Sequence, residues 1–182
     1  MKKSLSTFPV ILLVLLLLKG CNFENAVTPD EQSNAQTGNT NDPGRIFVKN
    51  LLTSPTNAIG KAIIWNDSVN IYIRLVSNSN YYFKNIRISF SSTFGGIPLS
   101  GNCPDYNNFQ YKVLNLPNNT KIYTKTLPLS ILPSKFITRY IAVQADVETV
   151  SLEPNCTLVW ADGNAFPNCS TFSKYFIYTI KN

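Results

Sequence analysis

The chain has 182 residues, with 16 Lys and Arg against 10 Asp and Glu, a formal charge of +6 and no histidine. Without an imidazole there is no Ser-His or Cys-His nucleophile and no His-bound metal, so an enzyme here would have to work through carboxylates, lysine or tyrosine. The cations are scattered singly (Lys49, Lys61, Arg74, Lys84, Arg87, Lys112, Lys121), with no run to track a phosphate backbone, which argues against nucleic acid as a partner.

The first elements decide the address. Lys2 and Lys3 precede an apolar run over residues 8–18, the pattern of a secretory signal peptide. As a helix that run covers about 16 Å against roughly 30 Å of hydrocarbon, too little to remain as a span. It ends in Leu18-Lys19-Gly20-Cys21, which resembles the lipobox of bacterial lipoproteins: an aliphatic residue at −3, Gly at −1 and Cys at the cut. Lys19 departs from the small residue usual at −2. The resemblance implies cleavage before Cys21 and acylation of its thiol and new amino group, hence a protein held at a membrane surface. Asn22 at +2 is not Asp, which by the same resemblance implies an outer-membrane or cell-surface destination. An ordinary signal peptide, leaving Cys21 as a thiol, is the competing reading.

Residues 1–20 are thus read as signal, 21–44 as the lipidated cysteine and a tether, and 45–182 as one β domain. The tether is rich in Asn, Thr, Gln, Asp, Pro and Gly, with almost nothing apolar to offset the entropy of ordering. As a flexible coil it reaches about 25 to 30 Å. It holds Glu24, Asp30, Glu31 and Asp42 and no cation, while Lys2, Lys3 and Lys19 belong to the signal. The domain therefore carries 13 basic and 6 acidic residues, or +7.

After Arg45 the apolar period becomes two. Val69, Ile71, Ile73 and Leu75 alternate with Asn70, Tyr72 and Arg74; Ile86, Ile88 and Phe90 alternate with Asn85, Arg87 and Ser89. Such alternation predicts half-buried strands. Further strands are expected at 46–48, 62–65, 109–114, 121–127, 139–148, 157–161 and 174–180, separated by turn formers such as Asn78-Ser79-Asn80 and Asp162-Gly163-Asn164. No stretch holds a helical period over three turns, although residues 128–136 can make one short helical turn. The fold class is all-β: an antiparallel sandwich, immunoglobulin-like or fibronectin-like, with a closed barrel as the other architecture. Residues 132–143 resemble the entry to a late strand of immunoglobulin-like or fibronectin-like domains. The closing stretch, Cys156 to Gly163 with Phe166 and residues 175–180, is similar to the ends of β-rich secreted domains of Bacteroidetes proteins.

Cys103, Cys156 and Cys169 meet an oxidising compartment after export, so one disulfide is expected. Cys156 with Cys169 is preferred because they flank a turn-rich segment between two strand-like runs; closing that loop contributes about 3 kcal/mol in the chain-entropy model. Cys103 with either of the others is the competing arrangement.

Candidate chemistry is sparse. Asp146 and Glu148 lie i and i+2 on one strand face, about 6.5 to 7 Å apart at the backbone, a separation that suits a glycosidase. The segment 142–148 resembles the acid-rich strand of sandwich glycoside hydrolases, except that Gln144 stands where the first acid belongs. The simpler reading makes Tyr140, Gln144, Asp146 and Glu148 a solvated face, with Ile141, Val143, Ala145 and Val147 toward the core. Asp162-Gly163-Asn164 offers oxygen ligands to calcium with Asp105 or Glu153, but reads more simply as a turn. Tyr81, Tyr82 and Tyr106 are the ligand-contacting candidates, because a sugar platform needs exposed rings; Trp65 and Trp160 are assigned to the core. Asp67-Ser68-Val69 resembles the short O-glycosylation signal of Bacteroidetes, which implies Ser68 on an exposed turn. The expectation is a lipid-anchored envelope lipoprotein, without cofactor, metal or catalysis, that binds a glycan, a cell-wall component or an envelope protein. The alternatives are an accessory subunit of an envelope complex and, further off, a glycoside hydrolase using Asp146 and Glu148.

Overall fold

A computed structural model describes residues 46–131, 138–151 and 155–180. The expected signal segment, Cys21, the expected tether and Glu153 lie outside these residues, as do 132–137, most of the expected late-strand entry. The strands in chain order are β1 (Phe47–Ser54), β2 (Asn57–Asn66), β3 (Asn70–Ser77), β4 (Tyr81–Ser91), β5 (Leu99–Ser100), β6 (Cys103–Pro104), β7 (Tyr111–Val113), β8 (Ile122–Pro128), β9 (Thr138–Thr149), β10 (Cys156–Ala161), β11 (Asn164–Ala165) and β12 (Lys174–Thr179). Short 3-10 turns occupy Phe94–Gly96, Tyr106–Asn108 and Leu129–Ile131. The last of these falls within the expected helical turn.

The protein is all-β, and its pairings are antiparallel. Among the described residues, ten strands share one hydrogen-bonded sheet, and β5 with β6 forms a separate two-residue ladder. Strand β9 is the pivot. One edge pairs with β4 from Tyr140 to Thr149; the other pairs first with β12 (Thr138 to Ile141) and then with β10 (Gln144 to Glu148). From β10 the ladder continues through β1, β2 and β3 to β8, and from β4 it ends at β7. The sheet curls strongly, so its ends approach each other. Phe83 N donates to Thr120 O at 2.7 Å, Leu116 N to Lys84 O at 2.8 Å, and the Lys125 ammonium lies 5.3 Å from the Tyr111 ring centroid.

The alternation explains the inner face. Ile71, Ile73 and Leu75 of β3, and Ile141, Val143, Ala145 and Val147 of β9, are fully buried in one core with Leu51, Ile64, Phe83, Val159 and Phe176. Val69, read as the start of the β3 alternation, is instead 61 % exposed in the preceding turn. In β4 the register slips between Phe83 and Asn85. A bulge of this kind adds one residue and reverses parity, so Phe83 points inward and then Ile86, Ile88 and Phe90 do. Tyr178 Oη donates to Asn66 Oδ1 at 2.7 Å within the interior, satisfying a buried polar pair between β12 and β2.

A second, smaller core lies on the other side of β9 and β10, where Ala142, Trp160, Ile97, Phe109 and Phe166 cluster with Phe94, Tyr106, Tyr140 and Tyr175. Two loops, residues 92–110 and 162–173, supply most of these rings. Cys103 and Cys169 join the loops as a disulfide (S–S 2.11 Å, Cα–Cα 4.8 Å). This corrects the expected Cys156–Cys169 pair. Cys156 opens β10 opposite Glu148, whereas Cys169 packs with the second core near Trp160, toward the other end of that strand; four residue steps of strand separate Cys156 from Trp160 by roughly 13 Å. Cys156 is itself disulfide-bonded.

Candidate functional site

The expected carboxylate pair is brought together with partners that sequence alone did not supply. On the outer face of β4 and β9 the cross-strand pairs are Tyr82 with Glu148, Asn85 with Asp146, and Arg87 with Gln144. Asp146 Oδ2 accepts from Asn85 Nδ2 at 2.6 Å and from an Arg87 Nη at 3.0 Å, while Oδ1 accepts from Gln144 Nε2 at 2.9 Å. The same Arg87 nitrogen donates to Gln144 Oε1 at 2.8 Å, and its guanidinium lies 5.3 Å from the Tyr106 ring centroid. Gln144 is fully buried and Asp146 only 8 % exposed, so this part of the strand face is a covered network rather than the solvated surface expected. Both Asp146 oxygens accept hydrogen bonds from neighbouring side chains.

Glu148 sits at the edge of that network. Its Oε2 accepts from Tyr82 Oη at 2.5 Å and lies 3.8 Å from the Lys84 ammonium. The hydrogen bond to Glu148, with smaller contributions from burial and from the carboxylate charge, raises the Tyr82 phenol above its ordinary value. The three candidate tyrosines do not form one platform. Tyr81 packs against the inner core, Tyr82 lies on the outer face beside Glu148, and Tyr106 is held edge-on to Trp160 with centroids 6.4 Å apart. Adjacent residues on a strand alternate faces, which separates Tyr81 from Tyr82.

The calcium candidates serve their own turns. Asp162 Oδ1 accepts from Gly163 N and Asp105 Oδ2 from Asn108 Nδ2, each at 2.8 Å. Gly163 permits close passage of β12, since a Cβ there would lie 2.1 Å from the Tyr175 carbonyl oxygen. Ser68 is exposed on the β2–β3 turn. Its neighbour Asp67 builds that turn, with Oδ1 accepting from Val69 N at 2.7 Å and Asn70 N at 2.6 Å, and Oδ2 from Tyr72 Oη at 2.8 Å. Burial pushes the Asp67 carboxyl up, but these hydrogen bonds outweigh it and leave the group below its ordinary value.

Trp160 is buried as expected, at 4 % exposure, but Trp65 is not in the core. Ala62 and Ile64 take the inward positions of β2, which turns Lys61, Ile63 and Trp65 outward by parity. Trp65 pairs across the ladder with Tyr72, their rings stacked at 5.0 Å and 11°. The next row is Val48, Ile63, Arg74 and Thr124, and the one beyond it Asn50, Lys61, Val76 and Ile122. Ile46, Val48 and Ile122 are 58, 48 and 52 % exposed. Lys61, on the same parity as Trp65, was the signal in the sequence that this tryptophan faces outward. No protein-family model, curated protein or solved structure matches this chain.

Proposed function

We propose that this is a lipid-anchored envelope protein whose β domain works by binding an envelope component, and that the outer face of β1, β2, β3 and β8 is the binding surface. The observation that carries the reading is the outward apolar face itself: half-buried Ile63, Trp65, Tyr72 and Val76 share one side of four adjacent strands with exposed Val48 and Ile122 and with Arg74 and Lys61. Contiguous exposed apolar surface is costly to maintain and marks an interaction site. Catalysis has no such support, because Asp146 is enclosed by Asn85, Arg87 and Gln144. A stacking platform for a single sugar is disfavoured as well, since Trp65 and Tyr72 present their faces to each other. We read the architecture as a barrel left open between β7 and β8 in preference to a two-sheet sandwich, on the strength of the continuous ladder and of the contacts that bridge its ends.

The anchor rests on Leu18-Lys19-Gly20-Cys21 and is tested by intact mass of the membrane-extracted protein beside a Cys21→Ser variant. Acyl mass on a chain beginning at Cys21, with acylation and cleavage both lost in the variant, is the expected result. Acylation of the Cys21 thiol and a disulfide from it to Cys156 are mutually exclusive, so an unacylated chain with that bond would overturn the anchor. The binding face is tested by pull-down from solubilised envelopes with the native chain and with Ile122→Asp, which is expected to lose the retained component; equal retention would overturn it.

A further inference from the structure

The face just described differs from its surroundings in two ways that together define what it fits. Its aromatic row, Trp65 and Tyr72, lies next to the β2–β3 turn, whose Val69 is 61 % exposed, and Ile46, one residue before the Phe47–Ile64 pair, extends that row by strand parity. Arg74 stands one row behind, about 7 Å along the strand from Tyr72. Lys61 stands in the row behind that.

Neither cation has a carboxylate partner among the described residues, where the ion pairs are Lys84 with Glu148 and Arg87 with Asp146. Arg74 Nε is buried without a hydrogen-bond partner. Among the described residues the carboxylate at this end, Asp67, is already held by two backbone amides and the Tyr72 hydroxyl. The domain carries +7.

We propose that this face docks on a bilayer surface bearing anionic headgroups, with Ile46, Trp65, Val69 and Tyr72 at the interface and Arg74 at the level of the phosphates. Trp and Tyr favour that boundary because one end of each ring is apolar and the other hydrogen-bonds, and Arg extends a charged head from an apolar stem. Anionic leaflets attract basic residues held near them. The described chain starts at Ile46, on this face. A second copy fits less well, since a two-fold contact would set Arg74 and Lys61 against an identical basic surface. The inference deepens the binding-face reading above and rests on it, but does not depend on acylation of Cys21.

The test is fluorescence quenching of the native full-length protein reconstituted on vesicles whose acyl chains carry bromine, with either zwitterionic lipid alone or added phosphatidylglycerol. Trp65 and Trp160 are the two tryptophans; Trp160 is 4 % exposed beneath the loops, and Trp65→Phe assigns the signal. On anionic vesicles the Trp65 emission is expected to fall about twofold, as for a ring held at the interface. Arg74→Glu is expected to abolish the fall. Lys112→Glu makes the same change of net charge at an exposed position on β7 and is expected to preserve it. Thermal melts of each variant separate loss of docking from loss of fold. Vesicle-bound protein whose Trp65 is not quenched would overturn the docking while leaving the anchor intact. Equal quenching on zwitterionic lipid, or equal loss in Lys112→Glu, would also overturn it. A blue shift that grows with protein concentration without lipid would assign the face to a second copy and overturn it too.

Discussion

Replacing Asp146 with Asn is the sharpest test of the buried network between β4 and β9. The substitution keeps the shape of the side chain and removes its charge. Asp146 and Arg87 side chains are 11 and 10 % exposed, so the Arg87 guanidinium would be left nearly buried without its counter-ion. Removing one partner of such a pair costs about 3 to 5 kcal/mol. The amide aggravates this, because Asp146 accepts from Asn85 Nδ2, Gln144 Nε2 and Arg87, and a new NH2 would face a donor on whichever side it turned. Neighbouring contact between Arg87 and the Tyr106 ring returns only about 1 kcal/mol. A loss of about 3 kcal/mol is therefore expected, against a total stability on the order of 10 kcal/mol for one domain. Urea unfolding followed by tryptophan fluorescence reads this as a fall of about 1.5 M in midpoint if the slope is about 2 kcal/mol/M. Combining Asp146→Leu with Arg87→Met should recover part of the loss, since an apolar pair needs no counter-ion, but not all of it, because the buried Asn85 and Gln144 amides lose the partners they have in Asp146 and Arg87. A midpoint shift under about 0.5 M for Asp146→Asn, or a double variant no more stable than the single, would refute the reasoning.

The disulfide assignment predicts that non-reducing peptide mapping links Cys103 to Cys169; a Cys156–Cys169 peptide would overturn it. Cys103→Ser with Cys169→Ser should lower stability by about 4 kcal/mol in the chain-entropy model, read by chemical denaturation. Gly163→Ala should destabilise by about 1 to 3 kcal/mol through overpacking against the Tyr175 backbone, whereas Gly95→Ala, with open space around it, should be nearly neutral in a thermal melt. Burial pushes the Tyr123 phenol up to about 12. Its folded value therefore lies above its unfolded one, so its contribution is fully present below about pH 10 and is lost as pH rises toward 12. Ultraviolet titration should show a late-ionising tyrosine that disappears in Tyr123→Phe.

Strand existence was legible because the inner face is apolar at period two: Ile71, Ile73 and Leu75 follow the alternation, as do Ile141, Val143, Ala145 and Val147. Several β boundaries fell within a residue or two, at β8, β9, β10 and β12. Less legible was β1, which runs on to Ser54 and forms a bulged hairpin with β2 through Pro55 and Thr56, because the polar and β-branched residues there carry no alternation. Pairing between distant strands was not legible at all. Asn85 and Arg87 reach Asp146 and Gln144 only because β4 lies beside β9 in a particular register, and one residue of slip would turn every side chain to the other face. That is why Asp146 reads from sequence as a solvated acid and is found enclosed. The disulfide failed for a related reason: proximity along the chain favours Cys156 with Cys169, but loop packing over Trp160 decides the pairing.

The two halves of the outer face show why exposure on one of them is informative. Both carry large apolar side chains. Around β4, β9 and β10 the chain covers them, bringing the rings of Phe94, Phe109 and Phe166 over Ala142 and Trp160 and joining the two covering loops through Cys103 and Cys169. Around β1, β2, β3 and β8 it leaves Val48 and Ile122 about half exposed, at 48 and 52 %, beside the stacked Trp65 and Tyr72. A sheet that needed only to be stable and soluble would gain from polar residues there, because an uncovered outward valine or isoleucine recovers little of its transfer free energy and promotes association. Arg74 sharpens the contrast. On the covered half Arg87 has Asp146, Gln144 and Tyr106, whereas on the open half Arg74 Nε is buried without a hydrogen bond. The fold thus closes one outer surface with its own loops and leaves half-exposed apolar side chains beside Arg74 and Lys61 on the other, the pattern that the proposed docking on an anionic bilayer would use.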